Sequence, residues 1–144
     1  MKRTLSLLLA GLLLAGCSSV STHTDPAANL GALKRIFVEH RLAEERGIDR
    51  MIADELKRLG YDAAYGPLTM MPEKVDAILA YEDRWAWDFR SYLIELRVEL
   101  RDLKQPPTRL AGARYFRPAI ATSRTPEEMV RTTLAELFKE SRTR

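Results

Sequence analysis

The sequence predicts a two-layer α+β domain, a mostly antiparallel sheet of about four strands with two helices on one face. The strands are indicated by residues 75–87 and 92–100, where apolar side chains alternate with polar or charged ones, as in strands with one buried face. The helices are indicated by apolar residues at helical spacing in 48–59 and 126–138. Two helices with one apolar stripe each can cover only one face of a sheet.

The first half of the domain has the order strand, helix, short strand. Residues 34–40 alternate apolar and charged side chains, which favours a strand. The helix over 48–59 ends at Gly60, because glycine readily adopts the left-handed conformation that follows a last helical turn. Residues 61–65 are compatible with a short strand before a loop.

Charged residues on the outer face of the two long strands predict their register. A four-residue turn, 88–91, pairs Trp87 with Tyr92. A slide of two residues in either direction places like charges opposite each other, which is destabilising. The predicted register instead makes two oppositely charged pairs, Arg84 with Glu95 and Glu82 with Arg97.

The chain then returns as a strand over residues 110–116 and closes with a helix. A capping box is indicated at the start of this helix by Thr125 and Glu128, with Pro126 at the first helical position. Pairing of the third strand is predicted to place Leu100 opposite Ala113 and Glu99 opposite Arg114.

The N-terminus has the pattern of a signal peptide. Two basic residues precede an apolar run over 5–14 that is too short to span a bilayer. The run ends in Leu-Ala-Gly-Cys at 14–17, and all four positions resemble the bacterial lipobox. This resemblance implies a diacylglyceryl group on the sulfur of Cys17, cleavage between Gly16 and Cys17, and acylation of the new amino group. The alternative interpretation is an uncleaved membrane anchor with a chance cysteine.

Lipidation of Cys17 accounts for the composition of the N-terminus. Several acyl chains on one cysteine hold a protein on a membrane almost permanently, and this covalent lipid is the only attached group expected, with no other cofactor. It uses the only thiol, which excludes an internal disulfide and a catalytic cysteine. Loss of Lys2 and Arg3 with the signal peptide lowers the net charge from +3 to about +1, which argues against a nucleic-acid partner.

The sequence therefore divides into a signal peptide over 1–16, a lipidated flexible tether over 17–32 and a single periplasmic domain over 33–144. The tether would reach ~20–24 Å and hold the domain just clear of the lipid headgroups. In the lipoproteins that this chain resembles, a residue other than aspartate after the cysteine, here Ser18, permits transport to the outer membrane. We expect the periplasmic face of the outer membrane, with the inner membrane as the alternative.

By anchor, tether and element order the chain also resembles small periplasmic lipoproteins that assist assembly or transport. Examples are the lipopolysaccharide-assembly lipoprotein and the auxiliary lipoproteins of ABC transporters. The resemblance is one of architecture and carries no residue motif. It implies an accessory role in the envelope rather than a particular partner.

Patterns typical of enzymes and metal sites are scarce. The sequence has no Gly-rich phosphate loop, no HExxH and no G-x-S-x-G. His23 falls in the predicted tether and His40 at the end of the first strand, so they lack the spacing of metal ligands and are interpreted as solvated residues. His40 would be the base of any His-dependent reaction, without a visible nucleophile. We predict no catalytic residue and no metal site.

Asp83 breaks the alternation of its strand. By parity it lies on the apolar face between Tyr81 and Trp85, opposite Leu96, where an unpaired carboxylate is costly. One explanation is function, with a raised pKa or a basic group of a partner. The others are a β-bulge that turns Asp83 outward, or a hydrogen bond from Tyr92 or a helix N-terminus.

Trp85 and Trp87 lie on one face at the distal end of the hairpin, next to Phe89 and Arg90 in the turn. They are a candidate contact site for a partner protein or a stacking platform for sugars, because large aromatic side chains dominate interface energetics. The alternative is that the two indoles complete the core. Rings exposed at the tip favour a protein partner, whereas rings that line a concavity favour a ligand.

Three functions are compatible with these features. The first is a membrane-anchored accessory or binding module for an envelope protein complex. The second is a lipid- or glycan-binding module that uses a groove between sheet and helices or the tryptophan pair. The third is a hydrolase that uses Asp83 with Glu82 or Asp88. No nucleophile, metal-ligand set or oxyanion motif accompanies these carboxylates in the sequence.

Overall fold

The computed structural model describes residues 19–43, 45–118 and 124–139. The predicted signal peptide, residues 1–16, and Cys17 lie outside the described residues. The α+β class and both helices are confirmed. In chain order the elements are β1 Ser19–Thr24, β2 Arg35–Glu39, α1 Ile48–Arg58, β3 Asp62–Gly66, β4 Ala77–Trp87, β5 Ser91–Arg101, β6 Arg109–Phe116 and α2 Pro126–Leu137.

The six strands form one mixed sheet in the order β1-β6-β5-β4-β2-β3. The prediction of about four mostly antiparallel strands is therefore wrong in number and in part of the pairing. β1, β6, β5 and β4 pair antiparallel, whereas β2 pairs parallel with both β3 and β4. The parallel part arises because β2, α1 and β3 form a βαβ unit, in which a helical crossover returns the chain in the same direction.

The predicted flexible tether is contradicted over Ser19–Thr24, which forms the edge strand β1. Ser19 lies opposite Phe116 of β6, and His23 lies opposite Gly112. Val20 packs against the core, and the valine and threonines of the segment are good strand formers. The segment has the polar composition of a linker because an edge strand needs few apolar residues.

One apolar core lies between the sheet and the two helices. Ile52, Leu79 and Leu134, from α1, β4 and α2, are all 0% exposed. The helices also contact each other at their ends, where the rings of Tyr61 and Phe138 are 4.8 Å apart. The proposed ligand groove between sheet and helices is therefore filled by packed side chains.

The predicted helix ends are confirmed. The backbone N–H of Glu128 donates to Thr125 Oγ1 at 3.2 Å, and the N–H of Thr125 donates to the Glu128 carboxylate at 3.0 Å, which completes the capping box. Gly60 follows α1 with a φ of +98°, in the left-handed region. These local signals fix helix ends without tertiary information.

The predicted register of the long hairpin is confirmed up to the pair Arg84–Glu95 and is wrong from Trp85 to the tip. Arg84 lies opposite Glu95 and Glu82 opposite Arg97, as predicted, but the pairing shifts by one residue at Arg84/Trp85. Beyond this bulge Trp87 pairs with Ser91, so the turn is 88–90. The bulge also places Leu93, rather than Ile94, in the core.

The predicted pairing of β5 with β6 is wrong by two residues. Leu100 lies opposite Ala111 rather than Ala113, and Glu99 opposite Gly112 rather than Arg114. Arg97 and Arg114 consequently face each other. This juxtaposition of like charges is offset because both guanidinium groups donate to the carboxylate of Glu95.

Candidate functional site

The hairpin tip presents exposed aromatic side chains. Trp87 is 72% exposed and Phe89 is 92% exposed, and their ring centroids lie 6.0 Å apart. Phe89 has a φ of +55°, which closes the short turn and directs the chain into β5. Arg90 is exposed beside them. The structure thus brings three of the four predicted contact residues together at the end of the hairpin.

Trp85 differs from Trp87 because it is half-buried. Its indole Nε1–H donates to Asp83 at 2.5 Å, and the guanidinium of Arg46 lies 4.0 Å from its ring centroid. A cation over an indole face is a favourable contact. Trp85 therefore attaches the segment between β2 and α1 to the hairpin, and Trp87 is the exposed member of the pair.

Asp83 has partners within the chain. Besides Trp85, Arg41 Nη1 donates to Asp83 at 2.8 Å, so neither Tyr92 nor a helix N-terminus serves as the predicted donor. The bulge lies in β5, and Asp83 keeps its place opposite Leu96. Glu82 lies on the other face of β4, which separates it from Asp83 as a pair of acid groups.

Replacing Trp85 or Trp87 by alanine is expected to affect stability differently, because Trp85 is half-buried whereas Trp87 is exposed. We expect Trp85→Ala to lower the free energy of unfolding by about 2 kcal/mol, since it removes part of a buried aromatic surface and two polar contacts. Trp87→Ala is expected to change it by less than about 0.5 kcal/mol, as for other exposed positions. Urea denaturation of both variants measures the difference, and equal losses would contradict the assignment.

A histidine–carboxylate pair, which the sequence analysis missed, lies where β2 leads into α1. His40 Nδ1 is 2.7 Å from Asp49 Oδ2, and the Asp49 side chain is only 5% exposed. The pair borders a cavity of about 520 Å³ together with Arg50 and Tyr65. Such a pair orients an imidazole, but the described residues that line this cavity include no serine, threonine or cysteine nucleophile. His40 is thus hydrogen-bonded rather than simply solvated.

The outer face of the sheet carries a cluster of ion pairs centred on Glu95, whose side chain is 5% exposed. Arg84, Arg97 and Arg114 all lie within 2.8 Å of its carboxylate. The hydrogen bond from Arg114 lowers the pKa of Glu95, burial opposes this, and the hydrogen bond from Arg97 lowers it further. The cluster therefore connects β4, β5 and β6 through one ionised carboxylate.

An open groove of about 670 Å³ runs across this charged face. Its β5 and β6 side is lined by four arginines, Arg97, Arg101, Arg109 and Arg114, and by Glu99. Glu39 of β2, Glu82 of β4 and Arg41, which follows β2, line the other side. Gly112 forms part of the floor, and the Arg109 side chain lies where a Cβ at this position would be. The groove is thus mainly cationic on one side and carries two carboxylates and one guanidinium on the other.

The described residues contain neither a metal-binding cluster nor a helix that could span a membrane. No group of three or more histidine, cysteine, aspartate or glutamate side chains is arranged to hold a metal ion. Within the same described ranges, no helix has the length and apolar character needed to cross a membrane.

The fold is similar to solved structures, although no protein-family model and no curated protein matches the chain. The PelC dodecamer from Paraburkholderia phytofirmans in space group P6 has a TM-score of 0.59 at 15% identity, over 89% of this chain and 99% of that one. A PelC variant dodecamer in space group C2 has a TM-score of 0.57 at 16% identity, over 87% and 97%. A PDZ domain protein from Parabacteroides distasonis has a TM-score of 0.47 at 14% identity, over 96% of this chain and 40% of that one. None of these is a lipopolysaccharide-assembly lipoprotein, and the PelC likeness shows a shared fold.

Proposed function

We propose that this chain is a lipid-anchored lipoprotein at the periplasmic face of the outer membrane, and that its domain is a non-enzymatic accessory module. It binds an envelope protein through the charged groove. The observation that carries this proposal is the groove itself, an open concavity that crosses five strands, with a mainly cationic side and a side of mixed charge. A surface of this kind suits a polar partner segment that carries both acidic and basic groups.

The ion pairs give this surface a fixed shape. Glu95 and Glu99 hold four of the groove arginines in place, so less side-chain entropy is lost when a partner binds. Each of these carboxylates is shared by more than one guanidinium group. Because each guanidinium has five N–H donors, some donors of each arginine remain available to a ligand. A polar glycan could use the same donors, and it is the alternative occupant of the groove.

Self-association is a second candidate, favoured by the fold likeness to the PelC dodecamers. Within the described part of the chain, β1 and β3 lie at opposite edges of the sheet. Open strand edges can pair with another chain. Copies of this protein could therefore assemble edge to edge while the groove stays accessible.

Photo-crosslinking in intact envelopes tests the proposed function. A photoreactive amino acid replaces Ser21, which lines the groove opposite Arg114, or Thr132 on α2 as the matched control. We expect a discrete protein adduct from position 21 and none from position 132. Adducts at multiples of the mass of the mature acylated chain would indicate self-association, and a carbohydrate adduct would indicate the glycan alternative. Equal labelling at both positions, or none at 21, would contradict a groove-bound partner.

A further inference from the structure

The N-terminus of the described chain and the aromatic hairpin tip lie at the same end of the sheet. Ser19 of β1 is opposite Phe116 of β6, which is opposite Glu95 of β5, which is opposite Arg84 of β4. Because each strand in this row is antiparallel to the next, β1 and β4 run in opposite directions. Moving from Ser19 toward the N-terminus therefore leads to the same end of the sheet as moving from Arg84 to Trp87. The register of three strand pairs therefore fixes which end of the domain the anchor approaches.

Chain length limits how far the anchor can lie from the level of the tip. Two residues separate Ser19 from Cys17, a distance of at most ~7 Å. Trp87 lies three residues beyond Arg84, or ~10 Å along the strand. Three inter-strand spacings separate β1 from β4, which is ~14 Å sideways. An acyl chain on Cys17 would thus bring the bilayer surface close to the level of the hairpin tip.

A second exposed apolar side chain lies at this end on a different segment. Leu42 follows β2 and is 99% exposed. Its neighbour Arg41 binds Asp83, and Arg46 covers Trp85, so the segment runs beside the distal half of β4. Leu42, Trp87 and Phe89 are therefore large apolar side chains that packing leaves uncovered at the end where the N-terminus begins.

We propose that the hairpin tip and the adjoining Leu42 insert into the lipid bilayer interface, so that the domain stands on the membrane by the end of its sheet. Tryptophan and phenylalanine suit this position because their rings partition into the interfacial region, and Arg90 can reach the headgroups. The acyl chains supply the attachment, and the tip sets the orientation. This inference rests on the proposed function, specifically on lipidation of Cys17.

Depth-dependent fluorescence quenching tests the insertion. The mature acylated protein is placed in phospholipid vesicles that contain brominated acyl chains, with Trp85→Phe leaving Trp87 as the only indole. We expect a blue-shifted Trp87 emission and the loss of most of its intensity. The matched control carries Trp85→Phe, Trp87→Phe and Leu103→Trp, which places the only indole in the β5–β6 loop at the opposite end of the sheet, and we expect no quenching.

The outcomes separate the two proposals. An acylated protein with an unquenched Trp87, or with equal quenching at positions 87 and 103, overturns the insertion and leaves the anchor intact. An unquenched Trp87 that becomes protected only in native envelopes points to a protein partner at the tip and also overturns the insertion. Absence of acyl chains from the N-terminal peptide, measured by mass spectrometry, overturns the proposed function and the insertion with it.

Discussion

Replacing Glu95 by glutamine is expected to lower the free energy of unfolding by about 2 kcal/mol and the melting temperature by on the order of 10 °C. The variant keeps the size of the side chain but removes the charge that Arg84, Arg97 and Arg114 share. The directly opposed Arg97 and Arg114 then repel each other. The loss stays below that of a fully buried ion pair because the three arginine side chains are 47–59% exposed and remain hydrated.

The same carboxylate predicts a pH dependence. The pKa of Glu95 is lower in the folded protein than its ordinary value of 4.5, so its stabilising contribution is complete above that value and is lost as the pH falls through the lowered pKa. Urea denaturation from pH 7 downward should therefore show the difference between wild type and Glu95→Gln shrinking in acid.

Glu82→Gln is the matched control, since it makes the same chemical change on the same face at an exposed position. We expect it to change stability by less than about 0.5 kcal/mol. Equal effects of the two substitutions, or a difference between Glu95→Gln and wild type that does not depend on pH, would contradict the central role of Glu95.

The sequence predicts those parts of the fold that local patterns determine. Alternation places β4 and most of β5, helical spacing places α1 and α2, and the capping residues place the ends of the helices. The opposite charges of Arg84 and Glu95 predict the hairpin register on the side of the bulge away from the tip. A shift of the pairing by two residues in either direction would place like charges opposite each other. Each of these patterns involves only residues that are close in sequence or directly opposite each other on neighbouring strands.

The remaining features depend on more than two residues at once. The β5–β6 register places Arg97 opposite Arg114, which pairwise charge rules exclude, because Glu95 is close enough to bind both. The bulge near the hairpin tip places Leu93 in the core instead of Ile94. Three apolar residues in a row, Tyr92-Leu93-Ile94, are the local sign that strict alternation fails there. The His40–Asp49 pair forms only once the βαβ unit closes.

The edge strand β1 changes the expected relation of the domain to the membrane. A tether over 17–32 would separate domain and bilayer, whereas a strand that begins at Ser19 leaves no more than ~7 Å of chain to Cys17. With the tip at the bilayer, the strands stand on the membrane and the groove opens sideways, parallel to its surface. Partners that lie in the same membrane plane could then reach the groove.

Replacing Cys17 by serine is expected to abolish stable membrane attachment. Each methylene buried in the bilayer contributes about 0.8 kcal/mol, so removal of several acyl chains lowers membrane partitioning by many orders of magnitude. Leu42, Trp87 and Phe89 alone would give only weak, reversible binding. Flotation on a sucrose gradient and the mass of the N-terminal peptide measure the effect, and we expect an unacylated, soluble or uncleaved precursor. Ser18→Ala is the control, with acylation and flotation retained, and a Cys17→Ser protein that still carries lipid in the outer membrane would contradict the lipobox.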